Sequence, residues 1–134
     1  MGIRFEKDTI LNWVNEIGKF LGLLVDEYDP FDKPVDPALL EDGYRNFFNQ
    51  ERAWFLGLSQ ADLTQYVDQD LEAEQIRPLA LLFMRDALLL PAGDTQQELL
   101  RKAKYLLEYA SQKLGSFSFE DYGNLATIDQ KLHK

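Results

Sequence analysis

Gly57-Leu58-Ser59-Gln60-Ala61 stands one residue away from the G-x-S-x-G pattern. That pattern works because a sharp strand-to-helix turn exposes a serine beside a histidine base. Here no strand-like segment precedes the serine, and the one histidine, His133, is the second-last residue. Ser59 reads instead as a helix cap, with Asp62 three residues on in a weaker form of the capping box. Asp68, Asp70, Glu72 and Glu74 alternate like the first ligands of a calcium loop. Such a loop needs glycine at its sixth position and a bidentate glutamate at its twelfth. This chain has Ala73 and Leu79 there, so the acids read as a solvated cluster near a helix start. One histidine and no cysteine leave no zinc set, and neither G-x-G-x-x-G nor G-x-x-x-x-G-K occurs. His133 reads as a solvated tail residue. No catalytic residue, metal ligand or cofactor site is expected, and the chain does not read as an enzyme.

Aromatic rings are the other residue type that could act. Tyr44, Phe47, Phe48, Trp54 and Phe55 fall within twelve residues, and Tyr105 and Tyr109 lie four apart. Rings at helical spacing usually pack inward. Exposed, they suit a partner site, because protein interfaces favour such side chains. Trp54, Phe55, Tyr105 and Tyr109 are therefore the candidate interaction residues.

Charge narrows the partners. Residues 1–74 hold 16 acids and 6 bases, whereas residues 75–134 hold 7 acids and 8 bases. An acidic N-terminal half repels the phosphate backbone and anionic lipid, so neither nucleic acid nor a membrane surface is an expected partner. The longest apolar stretch, Leu79–Leu90, is interrupted by Arg85-Asp86 and falls far short of a bilayer about 30 Å thick. With no signal-like N-terminus, the expected location is the cytoplasm.

The elements that position these residues are helices. Ile10, Trp13, Val14, Ile17, Leu21 and Leu24 recur at spacings of three and four, predicting a helix from about Asp8 to Glu27. Pro30, Pro34 and Pro37 then make Asp29–Pro37 an extended connection. Asp36-Pro37 opens the next helix, in which Gly43 costs about 1 kcal/mol relative to alanine; whether it breaks near Asn49 or runs through Trp54 stays open. Ser59 starts a short helix ending near Asp68. Ile76, Leu79, Ala80, Phe83, Ala87 and Leu90 mark a fourth, and Pro78 suits it if it begins near Glu74. Asp94 with Gln97 is expected to cap a fifth, through Leu99, Leu100, Ala103, Leu106, Leu107, Ala110 and Leu114, closed by Gly115. Ser118 and Asp121 begin the last, through Leu125, Ile128 and Leu132. The reading is one all-α domain over residues 1–134, a bundle of five or six helices. Its fourth and fifth form an antiparallel hairpin whose small Ala87, Ala103 and Ala110 let the axes approach.

Three stretches resemble a family of uncharacterised small bacterial helical proteins. They are Arg4-Phe5-Glu6-Lys7-Asp8-Thr9-Ile10, then Trp54-Phe55-Leu56-Gly57-Leu58-Ser59-Gln60-Ala61-Asp62-Leu63, and finally Leu106-Leu107-Glu108-Tyr109-Ala110 with Phe117-Ser118-Phe119-Glu120. The resemblance implies an all-helical domain with a tetratricopeptide-like C-terminal hairpin; it brings no activity and no site residues.

Two functions fit this reading. The first is a non-enzymatic helical protein–protein interaction module, homodimeric or bound to another protein; it predicts exposed apolar surface. The alternative is a small-molecule binder or enzyme, which predicts a closed cavity of about 300 Å³ or more between helices with convergent polar groups.

Overall fold

A computed structural model describes residues 7–26 and 37–132. The connection expected over Asp29–Pro37 lies outside them except for Pro37, and so do Asp36 and His133. Among the described residues there is no strand, and the protein is all-α. Its helices are α1 (Lys7–Asp26), α2 (Pro37–Phe48), α3 (Arg52–Leu56), α4 (Gln60–Asp70), α5 (Ala73–Leu88), α6 (Asp94–Leu114) and α7 (Phe119–Leu132). The helix beyond the five or six expected is α3, a single turn after Asn49. The helices gather into two compact units, Met1–Glu72 and Ala73–Lys134.

In the first unit, Ile10, Ile17, Leu21 and Leu24 bury the inner face of α1, the face predicted from their spacing. Trp13 of α1 meets Phe47 and Phe48 of α2 edge-on, at centroid distances of 5.9 and 5.4 Å. Helix α2 ends where Asn49 takes a left-handed backbone, φ 58°, a conformation asparagine tolerates better than most residues. The last carbonyls of a helix lack partners within it. Here the Trp13 indole donates to the Phe47 carbonyl at 3.2 Å, and the Tyr66 hydroxyl faces that of Phe48 at 3.5 Å. Gly43 has a packing reason: a Cβ there would sit 2.5 Å from the ring of Phe20. Ser59 caps α4 as expected, its Oγ accepting from the Asp62 amide at 3.1 Å.

In the second unit, α5 and α6 bury Leu79, Phe83 and Ala87 against a face that includes Leu99, Ala103 and Leu106. Burying such a leucine or phenylalanine contributes roughly 1.5–3 kcal/mol. The short connection after Leu88 joins them at one end. At the other, Arg77 near the start of α5 reaches the Ser116 carbonyl just past α6, so the pair is antiparallel. The expected Asp94 cap is corrected: Asp94 is already helical, and Gly93 occupies the cap position with no side-chain bond. Gln96 closes this end instead, donating to the carbonyls of Ala87 and Leu90 at 2.9 and 3.0 Å. Gly115 ends α6 with φ 75°, as its position predicted. Pro78 is the sixth residue of α5, where it removes one helical hydrogen bond. Lys104 ties α6 to α7 through Asp129 at 2.8 Å, and that hydrogen bond raises the Lys104 pKa.

Candidate interaction surface

The four candidate rings do not behave alike. Phe55 is fully buried, so it presents no ring to a partner. It packs on Tyr44, Phe48, Trp54 and Tyr66, at centroid distances between 5.1 and 6.2 Å. Trp54 beside it is 37% exposed and also meets Tyr66 edge-on at 5.1 Å. Tyr105 and Tyr109 are half-buried on α6, their centroids 5.8 Å apart. The Lys113 ammonium stands 5.6 Å from the Tyr109 centroid, within reach of a cation–π contact. Ser59 is a cap, with no histidine among the described residues to activate it. No cluster of three metal-binding side chains occurs among those residues, and no helix there is long and apolar enough to cross a membrane.

The most exposed apolar side chains of the second unit lie on the turn between α6 and α7. Leu114, Phe117, Phe119 and Tyr122 are 37, 43, 94 and 64% exposed. This turn is built rigidly. Ser118 Oγ accepts from the Asp121 amide at 3.1 Å, while an Asp121 carboxylate oxygen accepts from the Ser118 amide at 3.0 Å. That reciprocal pair is a capping box, the start expected at Ser118 and Asp121. Arg77 grips the same carboxylate with Nε at 3.0 Å and Nη2 at 2.8 Å. Phe117 and Tyr122 stack at 5.3 Å, occupying the positions before the cap and four into the helix. A hydrophobic staple uses those two positions, so local helix initiation accounts for this pair. It does not account for Phe119, the first helical residue, whose ring is almost wholly in water.

Phe117, Phe119 and Tyr122 are not among the interaction residues expected from the sequence. A signal was present: Phe-Ser-Phe around a cap places at most one of the two rings at the staple position, leaving the other without a local role.

A second feature lies in the first unit. Arg45, Asn49, Gln50, Glu51 and Trp54 line a surface depression of about 540 Å³ where α2 turns into α3. It is open to solvent, unlike the closed cavity expected of an enzyme or buried-ligand site. No family model, curated protein or solved structure matches the chain.

Proposed function

We propose that the chain is a helical protein–protein interaction module that pairs with a second copy of itself through the turn between α6 and α7. The observation that carries this reading is Phe119, 94% exposed on a turn locked by Arg77 and a capping box. A large ring held in water by a rigid frame forgoes its burial energy in the free chain and recovers it on association. The tetratricopeptide-like α5–α6 hairpin serves as the stiff platform.

Area and charge favour a second copy. With aromatic side chains covering about 150–250 Å² each, Leu114, Phe117, Phe119 and Tyr122 leave on the order of 450 Å² exposed. That is the size of the largest apolar patch on an ordinary monomer, roughly 300–600 Å², which is often functional. Two such faces would cover about 900 Å² together, and modest polar rims bring the contact to the roughly 1,200 Å² of the smallest stable interfaces. Residues 73–134 hold 8 acids and 8 bases, so the units that meet carry no net charge. Residues 1–72 hold 15 acids and 6 bases and would repel their like. Lys113 and Glu120 stand on either side of the turn, and a two-fold axis passing between them would set each against the other's counterpart.

Light scattering across a micromolar concentration series tests the reading. The expected result is a dimer that Phe119→Ser converts to monomer with helicity unchanged. A native chain that stays monomeric at the highest soluble concentration would overturn it.

A further inference from the structure

The depression at the α2–α3 corner brings one partly exposed indole and four hydrogen-bonding side chains together on one open surface. Phe48, Asn49, Gln50, Glu51 and Arg52 carry the chain from one helix to the next, and the corner is cross-braced. Arg45 reaches Glu51 at 3.2 Å and Glu41 at 3.6 Å, and Glu41 accepts from the Arg52 amide at 2.9 Å. Asn49 holds its left-handed backbone at the centre of the turn. The lining is one indole ring, 37% exposed, and four hydrogen-bonding side chains, with no aliphatic group among them.

Each ligand class meets a different difficulty there. Drug-sized apolar molecules want a mostly hydrophobic pocket, and this one offers a single ring. An anion would approach a guanidinium already matched by two carboxylates, within a unit holding 15 acids against 6 bases. A cation would meet that same guanidinium, which lies in the lining. A neutral polyhydroxylated ring meets neither obstacle. Its hydroxyls both donate and accept, matching Arg45 as donor, Glu51 as acceptor, and Asn49 and Gln50 as both. Its C–H face carries slight positive charge and complements the negative face of the Trp54 indole. The volume lies within the roughly 300–1,000 Å³ of small-ligand sites.

We propose that this corner is a binding site for a neutral saccharide, stacked on Trp54 and hydrogen-bonded by Arg45, Asn49, Gln50 and Glu51. Arg45 and Glu51 already stand 3.2 Å apart, so a donor and an acceptor meet the ligand side by side. Because the depression is open, the ligand keeps part of its hydration and the affinity is millimolar. The site is separate from the α6–α7 turn and stands independently of the pairing proposed there.

The experiment is a titration of the full chain followed by the Trp54 indole and Asn49 and Gln50 amide resonances. The probes are glucose, galactose, mannose, N-acetylglucosamine, maltose and cellobiose, with glucose 6-phosphate and glucosamine as charged counterparts. At least one neutral sugar should shift these resonances saturably in the millimolar range, and more tightly than its charged counterpart. Trp54→Ala should weaken binding at least tenfold. Asn49→Gly, which suits the left-handed turn while removing the amide, should weaken it several-fold. No saturable shift with any neutral sugar, preference for a charged counterpart, or unaltered binding in both variants would each overturn the proposal.

Discussion

Arg77 of α5 and Asp121 of α7, 44 residues apart in the chain, meet through two parallel hydrogen bonds of 3.0 and 2.8 Å, with the carboxylate only 1% exposed. The same carboxylate caps α7, and the same guanidinium holds the Ser116 carbonyl at 3.3 Å. One pair therefore fixes both sides of the turn that carries Phe117, Phe119 and Tyr122.

Removing one partner of a buried pair costs roughly 3–5 kcal/mol, because the other charge is left buried and unmatched. Arg77 is 23% exposed and can turn toward water, so Asp121→Ala is expected at the lower end, about 3 kcal/mol in urea unfolding. Pairing should weaken further even where the variant stays folded, since the turn loses its frame. A loss under about 1 kcal/mol would mean that water already competes for the clamp.

Gly43 and Phe20 should show strong coupling. In an open helix, glycine to alanine gains about 1 kcal/mol. Here the new Cβ would stand 2.5 Å from the Phe20 ring, which packs on Phe47 at 5.5 Å. Gly43→Ala alone should therefore be neutral or destabilising, because the ring must leave Phe47. In a Phe20→Ala background the same change should stabilise by about 1 kcal/mol. Thermal unfolding of the four chains gives the coupling energy, and additivity within about 0.5 kcal/mol would contradict the close approach.

Gly43 also marks where the sequence stops being legible. Its cost to the helix can be read from composition, but its reason lies in a ring 23 positions earlier. Local signals read well: the faces of α1, α5 and α6, the Ser59 cap, the Ser118–Asp121 box and the left-handed Gly115 all depend on neighbours within one or two turns. Asp94 misled because its spacing to Gln97 imitates a cap, whereas tertiary contact draws Gln96 onto the Ala87 and Leu90 carbonyls. Phe55 and Trp54 are adjacent, and only the packing of Tyr44, Phe48 and Tyr66 decides which of them faces inward. Phe119 breaks no periodic pattern, and only the Phe-Ser-Phe spacing around the cap marks it as the ring left without a staple role. The Arg77–Asp121 pair has no sequence signal at all.

Alkaline pH should weaken the protein through Tyr66. Burial, and after it the charge of Asp70, push its phenol above the ordinary value of 10.0. The folded chain then keeps the Tyr66 proton at a pH where the unfolded chain releases it, so the unfolded state binds fewer protons and stability falls as pH rises. The contribution is fully present below about pH 10 and declines above it. In denaturant titrations above that pH, Tyr66→Phe should remove up to about 1.4 kcal/mol per pH unit of slope. Parallel slopes in the two chains would show that the phenol ionises freely in the folded state.

The charges beside Phe119 separate self-pairing from capture of an unrelated protein. In a two-fold contact whose axis passes between them, Lys113 of one copy would lie against Glu120 of the other, and the reverse, so each pair occurs twice. Reversing one sign, Lys113→Glu or Glu120→Lys, places like charges together at both points. Each should raise the dimer dissociation constant about tenfold at low salt, less at physiological salt as screening shortens the range. The double reversal restores opposite signs and should recover most of the native affinity. Each reversal also gives up a favourable helix-end charge, and Lys113→Glu its contact with Tyr109, so monomer stability should fall by up to about 1 kcal/mol. Dissociation is therefore compared at temperatures where every chain stays folded. Mixing the two single variants gives a sharper readout: one carries only acidic and the other only basic side chains at these positions, so a heterodimer should form in preference to either homodimer. Sedimentation of the mixture decides the matter, and a random distribution of species would rule out the two-fold arrangement.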